Sequence, residues 1–286
     1  MFSLRHFLSS FLLLALLTTA CSEEEATPKS PVTPALEGHL TMGNPSGAVA
    51  DVASPTNYLL SKPQYVLSYH RDKGIPNWVS WHLASSWLGS AARQDDFRAD
   101  NTLPTGWYQV TAASYTSSGF DRGHNCPSAD RTATEADNSA TFLMINMLPQ
   151  APRNNQQTWA SLEEYCRTLV GQGNELYIVM GQYGTGGIGS SGAKITLDNG
   201  RVTVPQRIWK VIVVLPEGAN DASRVSANTR IIAVDTPNEN NLNTAWGSYR
   251  TTVDSIEGAT GYDLLSAVPA SVQSVIEGRA DVGPTQ

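Results

Sequence analysis

Cysteine is scarce in this chain of 286 residues, with three in all, at positions 21, 126 and 166. So few exclude a disulfide-stapled scaffold. With no paired C-x-x-C and no H-E-x-x-H, a zinc site has no support either. No G-x-S-x-G occurs, so the usual serine-hydrolase elbow is missing. Positive charge is in deficit, 19 Lys and Arg against 26 Asp and Glu. Such a balance gives no global basic field, and any phosphate-binding site has to be assembled from local arginines. Long apolar runs are rare too. The one at the N-terminus, Phe7 to Leu17, is too short to span a bilayer as a helix.

What is present, 41% apolar residues with 23 Gly and 16 Pro, suits a loop-rich globular α+β or α/β protein. Arg5 and His6 precede the apolar run, and Thr18-Thr19-Ala20-Cys21 follows it. Residues 1–20 therefore read as a signal peptide, of lipoprotein type if Cys21 is lipidated. The plainer alternative is ordinary cleavage after Ala20, and Thr18 stands where a lipoprotein signal usually has Leu. Cys21-Ser-Glu-Glu-Glu resembles the acidic tag that sends some bacterial lipoproteins to the cell surface. The expected location is thus the bacterial cell surface or outer membrane, otherwise secreted or periplasmic. Residues 21–38, acidic and spaced by Pro28, Pro31 and Pro34, read as a disordered tether. From residue 39 to 286 no linker or repeat divides the chain, which predicts a single domain. Cys126 and Cys166 are left as a disulfide or as two buried thiols, and both readings stand.

Tyr65-Val-Leu-Ser-Tyr69 and Trp78-Val-Ser-Trp-His-Leu83 read as strands around a turn over 72–77. Glu175 to Met180, Ile208 to Leu215 and Arg230 to Val234 read as buried strands. Apolar spacing predicts a helix from about Asn155 to Val170, stopped by Gly171, and helical pieces over 249–265 interrupted by Gly258 and Gly261. The coarse picture is a central set of strands with helices packed on them. Gly184-Thr-Gly-Gly-Ile-Gly189 fits G-x-G-x-x-G and follows a strand, but no helix comes next to hold a pyrophosphate. It reads as a mobile turn leading into a hairpin.

The informative stretch is Asp121-Arg-Gly-His124. Alone it fits a surface loop as well as a catalytic histidine. The downstream helix adds weight, because Asn155, Trp159, Glu163 and Arg167 are spaced by four residues and drift slowly around one side. An exposed Glu163–Arg167 pair would be the bland explanation. A metal-and-phosphate site uses all three polar groups: an amide oxygen for a hard cation, a carboxylate for its waters and a guanidinium for phosphate oxygens.

Further stretches make the pattern specific: Trp81-His-Leu-Ala-Ser-Ser-Trp-Leu-Gly89, Arg93-Gln-Asp-Asp-Phe-Arg98, Ser128-Ala-Asp-Arg131 and Thr141-Phe-Leu-Met-Ile-Asn-Met-Leu-Pro-Gln150. With Asp121 to His124 and the 155–167 row, they resemble the DNA/RNA non-specific endonuclease family of Serratia-nuclease type, most closely its cyanobacterial branch. The similarity covers roughly residues 55–277. It implies an α+β fold with a central, mostly antiparallel sheet flanked by helices and a ββα-metal catalytic core. It implies His124 as general base, Asn155 as the direct protein ligand of Mg²⁺ (Mn²⁺ substituting), and Glu163 as the residue that orients the metal's waters. Arg93, Arg122 and Arg167 would surround the scissile phosphate, Asn146 would be a site amide, and Asp121 would fix the turn. Cys126 departs from the family, which usually has an apolar residue there.

The expected activity is sugar-non-specific hydrolysis of DNA and RNA to 5′-phosphate and 3′-hydroxyl ends. Backbone-directed contacts carry no base information, which suits both substrates. The rival readings are a phosphodiesterase of small diesters and a non-catalytic surface lipoprotein that binds nucleic acid. A membrane partner enters only through a lipid on Cys21, and no protein inhibitor is legible. Between residues 90 and 170 six arginines face nine acidic residues. Modest affinity and strong inhibition by salt are therefore expected.

Overall fold

Apolar runs that look continuous in sequence do so because both faces of the sheet they build are covered. In the computed structural model, which describes residues 38–286, the runs at 174–183 and 207–216 become neighbouring strands of a seven-stranded antiparallel sheet. Leu176, Ile178, Met180, Ile208 and Ile212 join one apolar cluster. Tyr177, Val179, Trp209, Val211 and Val213 join another. Successive side chains on a strand point to opposite faces, so the two clusters are the two sides of the sheet.

The strands are β1 (Tyr58–Lys62), β2 (Tyr65–His70), β3 (Ile75–Leu83), β4 (Asp121–His124), β5 (Met147–Gln150), β6 (Asn174–Tyr183), β7 (Gly187–Gly189), β8 (Gly192–Lys194), β9 (Thr196–Leu197), β10 (Val202–Thr203), β11 (Arg207–Pro216), β12 (Arg230–Pro237) and β13 (Arg250–Thr251). The main sheet runs β1-β2-β3-β6-β11-β12-β13, and β4–β5, β7–β8 and β9–β10 are separate two-stranded ribbons. The turn expected over 72–77 is shorter than its sequence suggests, because β3 already begins at Ile75. Pro76 is tolerated there at an irregularity in register, where Ser68 faces Trp78 but Tyr69 faces Pro76.

Five α-helices are described: α1 (Glu135–Ala140), α2 (Ala160–Gly171), α3 (Asp221–Arg224), α4 (Val253–Thr260) and α5 (Ala270–Ile276). α2 buries Leu162, Tyr165, Cys166, Leu169 and Val170 in the first cluster. Burial of each of the aliphatic ones contributes on the order of 2 kcal/mol. α4 and α5 cover the other face with Val253, Ile256 and Ile276. Gly258 lies inside α4 and does not interrupt it, whereas Gly261, at φ 74°, caps it. α5 has no counterpart in the sequence reading. The architecture is the expected α+β one, with an antiparallel sheet between helices.

The Gly184–Gly189 stretch does enter a hairpin, β7–β8, with no helix behind it. It is pinned rather than loose. Ser190 N donates to Gly119 O at 2.9 Å, and a Cβ on Gly189 would meet that same oxygen at 2.3 Å. Cys126 and Cys166 are free, buried thiols, which removes the disulfide reading. Burial pushes both up to about 12, so they serve as small apolar packing groups. The signal segment, Cys21 and the tether up to residue 37 lie outside the described residues. Among the described residues no helix is long and apolar enough to cross a membrane.

Candidate active site

Asp121 to His124, which by residue type fitted a surface loop as well as a catalytic histidine, is strand β4. It pairs with β5, Asp121 opposite Gln150 and His124 opposite Met147. Glycine is required at 123, where a Cβ would meet Gln150 Oε1 at 2.3 Å and its Cβ at 2.6 Å. A helix follows β5 at once. After two α-helical residues at 152–153, Asn154–Trp159 is wound as a π-helix before α2 takes over. π-turns are rare and recur at functional sites. Here the wider turn breaks the regular 3.6-residue winding between Asn155 and Trp159 on which the spacing argument relied. Trp159 is fully buried beneath, while Asn155, Glu163 and Arg167 are half-buried.

A cleft of about 420 Å³ opens over this ββα unit, lined by Arg93, Asp95, Phe97, Asp121, Arg122 and Asn155 among others. Arg93 donates to Ser128 Oγ at 2.8 Å and pairs with Asp95 at 2.7 Å. Its guanidinium lies 4.8 Å from the Phe142 ring centre, and that of Arg122 lies 4.1 Å from Phe97. His124 meets the same two rings, at ring-centre distances of 5.5 Å from Phe97 and 4.9 Å from Phe142. Two phenylalanines thus hold an imidazole and two guanidiniums together. A larger groove of about 790 Å³, lined by Ser161, Glu164, Thr168 and Trp246 among others, has a single arginine, against two in the smaller cleft. The smaller cleft is the one whose two arginines pack with an imidazole.

Neither ring nitrogen of His124 has a hydrogen-bond partner among the described residues, and Nε2 is enclosed. Burial, then Arg93 and Arg122, push the imidazole down to about 3. In the free protein it is accordingly a neutral proton acceptor through the whole physiological range. The acid limb of kcat/KM against pH should stay flat to roughly pH 5, with no inflection near the ordinary 6.5. An inflection at 6.5 in that profile would show that His124 titrates as an exposed residue. The sign for stability follows. The unfolded chain takes up the proton first, so His124 draws stability away as pH falls below about 6.5.

Asn155 Nδ2 donates to Asp121 Oδ2 at 2.8 Å, and Gln156 Nε2 reaches the same oxygen at 2.9 Å. That clamp turns Asn155 Oδ1 away from Asp121, and no described residue donates to it. A neutral amide oxygen fits a hard divalent cation that keeps most of its waters. Further along the helix Glu163 is ion-paired at 3.6 Å with Lys210, which is only 1% exposed. The Lys210 ammonium sits between the Trp81 and Trp159 rings, at 5.4 and 5.2 Å from their centres. Burial pushes the Glu163 carboxyl up, against the pull of Lys210. Arg167 pairs with Asp130 at 2.9 Å, and Asp130 also accepts from Trp81 Nε1 at 3.0 Å.

Arg93, Asp121, Arg122 and Asn155 therefore line one cleft with His124 beside them. Glu163 and Arg167 form an adjacent charged cluster on the same helix, joined to the cleft by the Ser128–Asp130 turn. Asn146 stands apart, fully buried. Its Nδ2 donates to Cys126 O and Thr141 O, and its Oδ1 accepts from Cys126 N. It staples the end of β4 to the chain entering β5 and touches no part of the cleft. Sequence reading missed Phe97, Phe142, Ser128, Asp130 and Lys210. Phe97, Phe142, Ser128 and Asp130 sit inside the quoted motifs, whereas Lys210 looked like an interruption of an apolar strand. Asp254, Glu257 and Glu277 bring one oxygen each within 4.8 Å of one another, close enough to share a divalent cation. They belong to α4 and the end of α5, on the other face of the sheet, and are not part of this cleft.

Residues 43–271 match the DNA/RNA non-specific endonuclease family. The chain belongs to that family. It is 50% identical over 270 residues to a nuclease of Nostoc sp. (strain PCC 7120 / SAG 25.82 / UTEX 2576), covering 94% of this chain and 96% of the relative. It is 30% identical over 236 residues to nuclease C1 of Cunninghamella echinulata var. echinulata, covering 75% and 90% of the two chains. A chain from the EndoG/EndoGI crystal structure superposes with a TM-score of 0.69 at 22% identity, over 88% of this chain and 99% of that one. That likeness places the fold. As a member of the family the chain is a hydrolase of nucleic acids, a sugar-non-specific DNA/RNA endonuclease.

Proposed function

We propose that this endonuclease is an exported enzyme that uses His124 as general base and a divalent cation held through Asn155. The observation that carries the mechanism is an unpartnered imidazole packed on the same two rings as two arginines, which line one cleft with Asn155. Nδ1 of His124, the ring nitrogen that is not enclosed, takes the proton of the attacking water. Positioned bases of this kind contribute about 10²–10⁴-fold. Arg93 and Arg122, fixed on their phenylalanines, bind the phosphate oxygens and stabilise the charge that develops there. Mg²⁺ or Mn²⁺, when bound, would supply Lewis-acid charge relief at the phosphate. Asp121 holds the Asn155 amide in its ligand orientation. Glu163 would orient the waters of a bound cation from its place beside Lys210. Arg167 steadies the phosphate from the Asp130 side, and Asn146 acts by positioning the strand that carries His124. Products with 5′-phosphate and 3′-hydroxyl ends complete the reading. Cys21 lipidation and surface location rest on residues 18–25 alone.

The test is digestion of supercoiled plasmid and ribosomal RNA by the chain lacking residues 1–37, with Mg²⁺ and with EDTA. Both polymers should be degraded, and EDTA should stop it. Hydrolysis of a model diester with an intact plasmid would favour the small-diester reading, and no turnover by folded protein would favour the binding one. Asn155→Ala should lose most activity at about 1 mM Mg²⁺ and regain part of it at higher Mg²⁺ or Mn²⁺. An unchanged metal dependence in that variant would remove Asn155 as the ligand.

A further inference from the structure

On the sheet face opposite the cleft, three carboxylates gather with no base to answer them. Asp254 and Glu257 project from α4, and Glu277 follows α5 directly. Asp254 N donates to Glu277 O at 3.2 Å, so the two segments already touch through backbone. Among the described residues no Lys, Arg or His forms an ion pair with any of the three. Asp263 adds further negative charge beside Glu257 and Glu277.

Clustered acids on a surface are common and mean little by themselves. Glu277 is different. It is 7% exposed, and its Oε1 is buried without a hydrogen-bond partner. A buried carboxylate oxygen with no donor is destabilising, and like charges packed beside it add to that. Burial, with Glu257 and Asp254 alongside, pushes the Glu277 carboxyl up to about 7. Glu257 is oriented, since its Oε1 accepts from Leu264 N at 2.8 Å.

We propose that Asp254, Glu257 and Glu277 form a Ca²⁺ site that staples α4 to the segment ending α5. Ligand number favours Ca²⁺ over Mg²⁺. Ca²⁺ takes about six to eight oxygens in flexible geometry, whereas Mg²⁺ demands a near-ideal octahedron, keeps several waters and is usually held by one or two carboxylates. Three carboxylates bring one oxygen each within 4.8 Å of one another here. Three anionic oxygens supply the hard ligands, with water completing the shell. Bound there, the ion neutralises the repulsion and gives the buried Glu277 oxygen its partner.

Thermal unfolding of the EDTA-stripped protein, with Ca²⁺ raised to about 10 mM, tests this independently of activity. Tm should rise by roughly 5 °C, and the same concentration of Mg²⁺ should do less. Glu277→Gln and Asp254→Asn should each melt at or above the metal-free wild type and no longer respond to Ca²⁺. Asn155→Ala should keep the full response, which separates this site from the cleft. No Ca²⁺ response in the wild type would overturn the site. So would an undiminished response in both carboxylate variants, or a response lost with Asn155→Ala instead.

Discussion

His124→Ala should lower kcat by about 10²–10⁴-fold while leaving KM close to that of the wild type. KM holds because Arg93 and Arg122 are anchored on Phe142 and Phe97, not on the imidazole. The variant should fold. His124 makes no hydrogen bond among the described residues, so its removal strands no buried partner and costs only packing against two rings. Circular dichroism and a melting curve on the same preparation would verify this. The space left between Phe97 and Phe142 suits a free imidazole, and added imidazole should restore part of the lost rate, which a merely structural residue would not show. Turnover within about tenfold of wild type would remove His124 as the base.

Lys210→Met should produce the largest loss of stability of any single change near the site. Lys210 is 1% exposed and Glu163 18% exposed, so breaking their pair leaves a poorly solvated carboxylate with no cation beside it. Removal of one partner from a buried pair costs about 3–5 kcal/mol, and the partial exposure of Glu163 places this case at about 3. For a chain of this size that is a fall in Tm of roughly 6–12 °C. The deficit should shrink as pH is lowered. Without Lys210 the folded-state pKa of Glu163 rises further above its unfolded value, so the folded state binds the proton more tightly and gains relative stability on acidification. Lys210→Met with Glu163→Gln together should recover much of the lost Tm, since a neutral pair needs no counter-ion. Activity should not return with it, because Gln offers no charge to orient the cation's waters. If the double variant regained both, Glu163 would be a packing residue only.

Much of this was legible without coordinates, and the reason is local. Strands β6 and β11 announce themselves because their alternating side chains are apolar on both faces. The helix after β5 shows in the spacing of Leu162, Tyr165, Cys166 and Leu169. Asp121 to His124 and the Asn155, Glu163, Arg167 row stand at spacings that the family resemblance reads at once. Illegible were features that depend on contacts far apart in the chain. Four residues are too few for a strand signal, so the residues of β4 alone fitted a surface loop as well as a catalytic histidine, and its pairing with β5 shows only in the fold. The π-turn at Asn154–Trp159 has no periodic signature, since six residues cannot distinguish windings. α5, at seven residues, fell below the length at which spacing speaks.

Lys210 marks the boundary between the two kinds of information. In sequence it breaks an apolar run, and strand alternation alone assigns it to one face of the sheet without saying what lies there. Only packing of the 154–171 helix on that face brings Glu163 within 3.6 Å and the rings of Trp81 and Trp159 around the ammonium. The identity of the chemistry was a matter of residue types and spacings, which one dimension records. The protonation state of His124, the aim of the Asn155 amide and the partner of Glu163 depend on burial and on charges brought from remote segments. Those are properties of three-dimensional distance, and the tertiary structure alone decided them.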